Sequence, residues 1–330
     1  MKSLQGILNV RNIGKISETV LDRSVTKIIK NHKVDIKGAA KGLDCAFFSD
    51  MAVSTGYVAF ADDDAGSHAV INACNNLWAS FVKPEYISLA ISMPDSYREI
   101  RLKEIMKQIC ETAHELDVRI MGGHTEYVKG LAEPIISVTA FGNTLRALPE
   151  SEKAKEADIV MTKWIGLMGT SVISKKRRDD LITRLPAYYV DDAFRLGQFV
   201  SVADEAFLAF KSDKTYAMHD VSGGGIFAAL WELCEDLKSG CRVELNKIPV
   251  RQETIEVCEF FDINPYSLRG DGALLIVTDD SQMLTKALTE KGILATVIGR
   301  TTQCIDRVIL RDDETRFLES SNTDELIKVL

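Results

Sequence analysis

Short runs of β-branched residues alternate with amphipathic helical segments along almost the whole chain, and this alternation confines it to an α+β or α/β architecture. The clearest helical period covers residues 96–116. There Leu102, Ile105, Met106, Ile109, Ala113 and Leu116 recur at three- and four-residue steps and define one apolar face, suited to packing on a sheet. Strands are predicted at residues 86–91, 135–141, 159–162, 273–278 and 295–298, all short and rich in β-branched side chains.

With 330 residues the chain exceeds what one hydrophobic core usually supports, so two domains are expected. Between Gly142 and Ala157 the apolar period gives way to Asn, Arg, Pro, Glu, Ser and Lys, which sets the boundary: an N-terminal domain over 1–148 and a C-terminal domain over 149–330. The tail from Asp306 to Leu330 is expected to close the second domain.

The formal charge of −8 argues against a nucleic-acid partner, because neutralising phosphates needs clustered Lys and Arg. The one basic run, Lys175-Lys176-Arg177-Arg178, reads as a solvated helix face beside Asp179 and Asp180. No apolar run is long enough to cross a bilayer and residues 1–10 do not form a secretory signal, so no membrane partner and a cytoplasmic location are expected. Seven cysteines at 45, 74, 110, 234, 241, 258 and 304 include no C-x-x-C pair, a spacing that fits reduced thiols better than a disulfide framework or a zinc site.

Three clusters could carry chemistry. Gly122-Gly123-His124-Thr125-Glu126 pairs glycines, which let backbone amides approach a ligand, with groups able to meet phosphate or a cation; it also reads as a plain glycine turn. His219-Asp220-Val221-Ser222-Gly223-Gly224-Gly225 feeds a helix with an apolar face of Ile226, Ala229, Leu230, Leu233, Cys234 and Leu237. Free amides at such a helix start suit an anionic ligand, although Ser222 could act simply as an N-cap. Asp44 lies at a strand edge, and Asp62-Asp63-Asp64 offers hard oxygen ligands of the kind Mg2+ prefers, or an acidic loop capping a helix. The Walker, Rossmann, zincin and nucleophile-elbow motifs are all absent.

In order and spacing these pieces resemble the AIR synthase-related (PurM-like) superfamily, on its hydrogenase expression/formation (HypE-type) side. The carriers are Gly14-Lys15-Ile16, Asp44-Cys45-Ala46, Asn75 with Pro84, Gly122-Gly123-His124-Thr125-Glu126, Thr162-Lys163-Trp164-Ile165-Gly166-Leu167-Met168-Gly169-Thr170, and the His219 to Gly225 run. The resemblance implies an α+β fold whose N-terminal sheet completes a barrel across a homodimer, with a C-terminal α/β sandwich domain closing over it. It further implies ATP and Mg2+ as cofactors. Carried onto this chain, Asp44 and Asp64 hold metal, while Asn75, Gly122, Gly123, His124, Thr125 and Gly223 to Gly225 bind nucleotide. Lys15, His124 and Asp220 take catalytic roles, Lys15 in an N-terminal segment folding over phosphates. The implied activity is ATP-dependent phosphoryl transfer that activates an unidentified small-molecule or protein acceptor.

Departures from the family pattern leave an alternative, a degenerate dimeric nucleotide-binding or scaffold protein without turnover. Gly56 and Asn76 stand where relatives carry Asp, Leu43 replaces another acidic residue, and the chain ends Lys328-Val329-Leu330 without a terminal cysteine. Fewer carboxylates imply weaker divalent binding, so restoring Asp at 56 and 76 is expected to strengthen it.

Overall fold

The computed structural model describes residues 15–32, 42–146, 151–312, 314–319 and 323–330. The boundary expected at 148/149, Gly14 and the stretch 38–41 lie outside the described residues.

Two short helices, α1 (Glu18–Leu21) and α2 (Lys27–Asn31), precede β1 (Cys45–Phe48), β2 (Met51–Val58), α3 (Ala65–Ala79), β3 (Val82–Pro94), α4 (Glu99–Glu115), β4 (Arg119–Val128) and β5 (Ile135–Thr144). The five strands form one sheet in the order β1-β2-β5-β3-β4, antiparallel except for the β3/β4 pair that α4 connects. β3 runs beyond its predicted span because Pro84, which cannot donate to a ladder, sits at a register shift against β5 and lets pairing resume on either side. In β2 buried and open positions alternate, with Ala52, Ser54, Gly56 and Val58 buried, so one face meets α3 and the other carries Thr55 and Tyr57. The apolar face of α4 is buried at Ile105, Ile109 and Ala113, but it packs chiefly on α3 and, within the sheet, mainly at β4. β4 is exposed along nearly its whole length and is an edge strand.

The second sheet is built from β6 (Asp158–Thr162), β7 (Thr215–Val221), β8 (Gly240–Glu244), β9 (Ala273–Thr278), β10 (Ala295–Thr302), β11 (Arg307–Arg311) and β12 (Glu314–Phe317), in the order β12-β11-β8-β10-β6-β9-β7. Its helices are α5 (Leu167–Lys176), α6 (Arg178–Leu181), α7 (Ala187–Arg195), α8 (Ala203–Phe210), α9 (Gly225–Leu237), α10 (Gln252–Phe261) and α11 (Ser281–Glu290). Alternate residues of the central strands serve two cores. Ile159, Met161, Leu275 and Val277 pack with α9, whereas Val160, Leu274 and Ile276 pack with α8 and α11. β9 is buried throughout, as a strand covered on both faces must be.

The basic run is more than a solvated face. Lys175 Nζ meets Asp64 Oδ2 and Lys176 Nζ meets Asp63 Oδ1, both at 2.7 Å, tying α5 to the acidic loop before α3. Arg178 pairs with Asp191 at 2.8 Å, and Arg177 reaches both Asp180 and the Val329 carbonyl. A deeper tie is Asn75, whose amide donates to Val200 O at 2.8 Å and accepts from Val202 N at 3.1 Å.

Candidate functional site: a cleft between the two sheets

A cleft of about 430 Å³ opens where the strand β2 face, α3 and the start of α9 meet the C-terminal turn at Glu325–Lys328. Lys15, Asp44, Thr55, Tyr57, Asn72 and Asn76 line it from the N-terminal side; Ser222, Gly223, Gly224, Arg269 and Asp324 line it from the other. Gly224 and Gly225 adopt left-handed φ angles of 85° and 68°, so the chain turns sharply from β7 into α9 with no side-chain cap. Ser222 is therefore not the N-cap; Gly224 is. A Cβ placed on Gly223 would stand 3.3 Å from Arg269 Nη1, 3.6 Å from Asp324 Oδ2 and 3.9 Å from Lys15 Cε, which makes this glycine the point of convergence.

Each charged group there is held by others. Lys15 Nζ bonds both oxygens of Glu232 on α9, at 2.6 and 2.9 Å. Burial opposes the Lys15 charge, yet Glu232, Asp44 and Asp220 outweigh it and raise its pKa. Arg269 Nε lies 2.7 Å from Asp271 Oδ2, and its backbone N–H donates to Asp324 Oδ1. Asp324 also accepts from Gly224 N, so the C-terminal turn fastens onto the glycine loop. Asn72 Nδ2 donates to Asp271 Oδ1 at 3.0 Å across the domains, and Asn76 Nδ2 donates to Ser54 Oγ at 2.9 Å. Behind them a buried pair, His68 Nδ1 and Asp62 Oδ2, closes at 2.6 Å.

Asp44, His219 and Asp220 present one ligand atom each within 4.8 Å of one another, the set among the described residues able to hold a cation. Burial pushes the Asp220 carboxyl up to about 7; Asp44 and Asp271 add to the rise, while His219 and Lys15 oppose it.

Lys15, Asp44, Gly223 and Gly224 line this one cleft, with Asp220 close to Asp44 and Gly225 next in the chain. The remaining candidates stand elsewhere in the chain. Asp64 is ion-paired to Lys175, and Asn75 is engaged with Val200 and Val202. Gly122, Gly123, His124 and Thr125 are not a turn: they form the middle of extended β4, where Gly123 lies so close to β3 that a Cβ would strike the Leu89 carbonyl oxygen. The His124 side chain is largely exposed, 3.5 Å from Glu126.

Gly56 corrects the expectation that a carboxylate there would serve the metal. It lies on the face of β2 turned to α3, where a Cβ would stand 2.5 Å from Asn72 Oδ1 and 2.7 Å from Ala73 N. Asn76, by contrast, does line the cleft. Sequence reasoning missed Glu232, Arg269, Asp271 and Asp324. α9 carries Glu232, Glu235 and Asp236, so no local signal singled out Glu232, whereas the i, i+4 spacing of Asn72 and Asn76 could have preferred them over Asn75. Nothing local marks Arg269 or Asp324.

A two-domain α+β chain with a glycine loop, a helix start and two cations converging on one cleft defines a class that handles anionic ligands. The chain belongs to the AIR synthase-related family: the N-terminal domain of AIR synthase related proteins matches residues 33–144, and their C-terminal domain matches residues 156–310. It is similar to the carbamoyl dehydratase HypE of Bradyrhizobium diazoefficiens, 26% identical over 294 residues, 84% of this chain and 83% of that protein. Its fold is that of HypE in a HypE-HypF complex, with a TM-score of 0.75 at 21% identity over 90% of this chain and 99% of the other. HypE in complex with ATP superposes with a TM-score of 0.67 at 18% identity, covering 97% and 98%.

Proposed function

We propose that the protein is an ATP-using enzyme of the hydrogenase-maturation type, which binds ATP in the cleft and activates an oxygen of an acceptor by phosphoryl transfer. The observation that carries this reading is the convergence at Gly223 of Lys15, Arg269 and the start of α9. A helix start adds partial positive charge to two cations that would exchange their carboxylate partners, Glu232 and Asp271, for a polyphosphate. Similarity to HypE, of which an ATP complex is known, supports the choice of nucleotide.

Phosphoryl transfer needs positioning and charge compensation more than covalent help. Lys15 would leave Glu232 for the transferring phosphate, and Gly223 and Gly224 would admit the phosphate oxygens to the backbone. Asp220 would shape the acceptor side. Asp44 with Asp220 would hold Mg2+, which when bound offsets phosphate charge; Asp64 could join only by releasing Lys175.

We further propose a homodimer formed through β4, the open edge, where Met121 and Tyr127 are 69% and 52% exposed. Such pairing would complete a barrel from two N-terminal sheets and bring Gly122 to Thr125 to a shared interface, where His124 and Thr125 could meet nucleotide. A cytoplasmic location fits the absence, among the described residues, of any helix long and apolar enough to cross a membrane.

Calorimetry with Mg-ATP tests the reading. Lys15→Met should weaken ATP binding about tenfold, the loss expected when one charge-assisted phosphate contact disappears. An unmodified protein that fails to bind ATP at millimolar concentration, or one indifferent to Lys15→Met, overturns it.

A further inference from the structure

Two of the free cysteines stand together where α9 ends. Cys234 lies in the last turn of α9 and Cys241 is the second residue of β8, with only Lys238 and Ser239 connecting the two elements. Lys238 takes a left-handed φ of 50° and Ser239 N donates to Cys234 O at 3.1 Å, so the chain reverses tightly and β8 runs back beside the helix it has just left. Both cysteines are fully buried in the core between α9 and the second sheet, and their thiols hydrogen-bond each other.

The surroundings of this pair differ from those of the other buried thiols. Cys45, Cys74 and Cys258 are buried singly, and burial pushes each thiol up to about 12, which leaves it inert. Cys241 faces a cation instead. β11 pairs in parallel with β8, with Arg307 opposite Cys241, so the two side chains share the sheet face that α9 covers. Arg307 bonds Glu235 and lies 4.0 Å from the ring centroid of Trp231, both on α9, which fixes its guanidinium beside the thiols. The hydrogen bond from Cys234 lowers the Cys241 pKa; burial opposes the fall, while the Val308 N–H and the Arg307 charge add to it. The same bond, together with burial, raises the Cys234 pKa. One thiol is set to ionise and attack, and the other keeps its proton until a disulfide closes.

We infer that Cys234 and Cys241 form a redox-active pair, in which a hydroperoxide oxidises Cys241 and Cys234 then closes a reversible disulfide. The Cys241 thiolate attacks one peroxide oxygen: an S–O bond forms, the O–O bond breaks, and the leaving hydroxide or alkoxide takes a proton from solvent. The product at Cys241 is a sulfenic acid. Its oxygen would meet two buried donors that lack an acceptor among the described residues, Arg307 Nε and, in the connecting turn, Ser239 Oγ. Cys234 sulfur then attacks Cys241 sulfur; an S–S bond forms, the S–O bond breaks, and the departing hydroxide leaves as water with the Cys234 proton. The two sulfurs together lose two electrons and the peroxide gains them. A dithiol reverses the reaction by exchange.

Access comes through opening of the last turn of α9, because helix ends fray before helix middles and hydrogen peroxide is little larger than water. The disulfide clamps that turn to β8, two residues beyond Glu232, the partner of Lys15. Nothing in the inference depends on the nucleotide reading, and its test contains no nucleotide, so either can fail alone.

The full chain carrying Cys110→Ser and Cys304→Ser, which removes the exposed thiols, is reduced, freed of reductant and treated with millimolar hydrogen peroxide while its circular dichroism is followed. Remaining thiols are then alkylated in denaturant and counted by intact mass. Two thiols should disappear with unchanged dichroism, a peptide map should show Cys234 linked to Cys241, and dithiothreitol should restore both. Cys234→Ser should stop at a sulfenic acid on Cys241, trapped by dimedone, whereas Cys241→Ser should leave Cys234 reduced. Arg307→Gln should slow cross-linking about tenfold, the effect of one pKa unit on the attacking thiol. Should Arg307→Gln unfold, the two cysteine variants carry the test. The proposal is overturned if both thiols survive in the folded chain, if the link forms only as dichroism is lost or joins other cysteines, if dimedone labels Cys234 in place of Cys241, or if a folded Arg307→Gln chain cross-links at an unchanged rate.

Discussion

Gly56→Asp is the substitution for which sequence and structure make opposite forecasts. By family pattern a carboxylate at 56 restores a metal ligand. In the structure it enters the contact between β2 and α3, where even a Cβ would stand 2.5 Å from Asn72 Oδ1, 2.7 Å from Ala73 N and 3.0 Å from Ala73 Cα. Two of those atoms are helix backbone and cannot step aside, so overpacking alone should cost about 1–3 kcal/mol. The carboxylate would also be buried without a cationic partner, adding several kcal/mol. Displacing Asn72 would further break its bond to Asp271, one of the ties across the cleft. A total of about 4–6 kcal/mol corresponds to a fall in Tm of roughly 10 °C or more. Thermal melts followed by circular dichroism measure it, with Gly56→Ala as the steric control expected to lose about 1–3 kcal/mol. Calorimetry of Mg-ATP on the same samples reads the functional half. A Gly56→Asp protein that keeps its Tm and binds Mg-ATP more tightly would refute the reasoning, since the side chain would then have to reach the cleft.

The buried His68–Asp62 pair makes stability depend on pH. Burial opposes both charges, but each partner outweighs it, so the His68 pKa rises above 6.5 and that of Asp62 falls below 3.8. The His68 contribution should be complete below pH 6.5 and fade as pH climbs through its raised folded value; the Asp62 contribution should be present above pH 3.8 and fade as pH drops through its lowered one. Wild type and His68→Asn should therefore differ most between these limits, by about 3–5 kcal/mol in denaturant melts, and a difference that does not vary with pH refutes the pairing. Gly225→Ala should lose about 2–5 kcal/mol, because φ is 68° and a Cβ would stand 2.5 Å from Tyr266 O and 2.8 Å from Leu268 O; an unchanged Tm would exclude the strain. Light scattering at micromolar concentration should give twice the single-chain mass, and a monomer there would rule out the β4 dimer.

By itself the sequence determined the elements whose cause is local. The face of α4 follows from a 3.6-residue period, β9 from an unbroken apolar run, and the turn into α9 from Gly224 and Gly225, the residue type that takes its left-handed angles most readily. The order of motifs also carried the family, and with it Lys15, Asp44 and the His219 to Gly225 run. Tertiary structure decided what depends on contacts between distant segments. Asp324 reaches a glycine loop 100 residues away, Asn72 meets Asp271 across 199 positions and Lys15 meets Glu232 across 217, and no local period encodes such meetings. It also decided orientation. Asn72 and Asn76 turn to the cleft while Asn75 turns to the domain contact, Gly56 faces a helix, and Gly122 to Thr125 run straight along an edge strand. The physical reason is that a residue's type fixes its chemistry, whereas the packing of two sheets and the helices between them fixes which way it points.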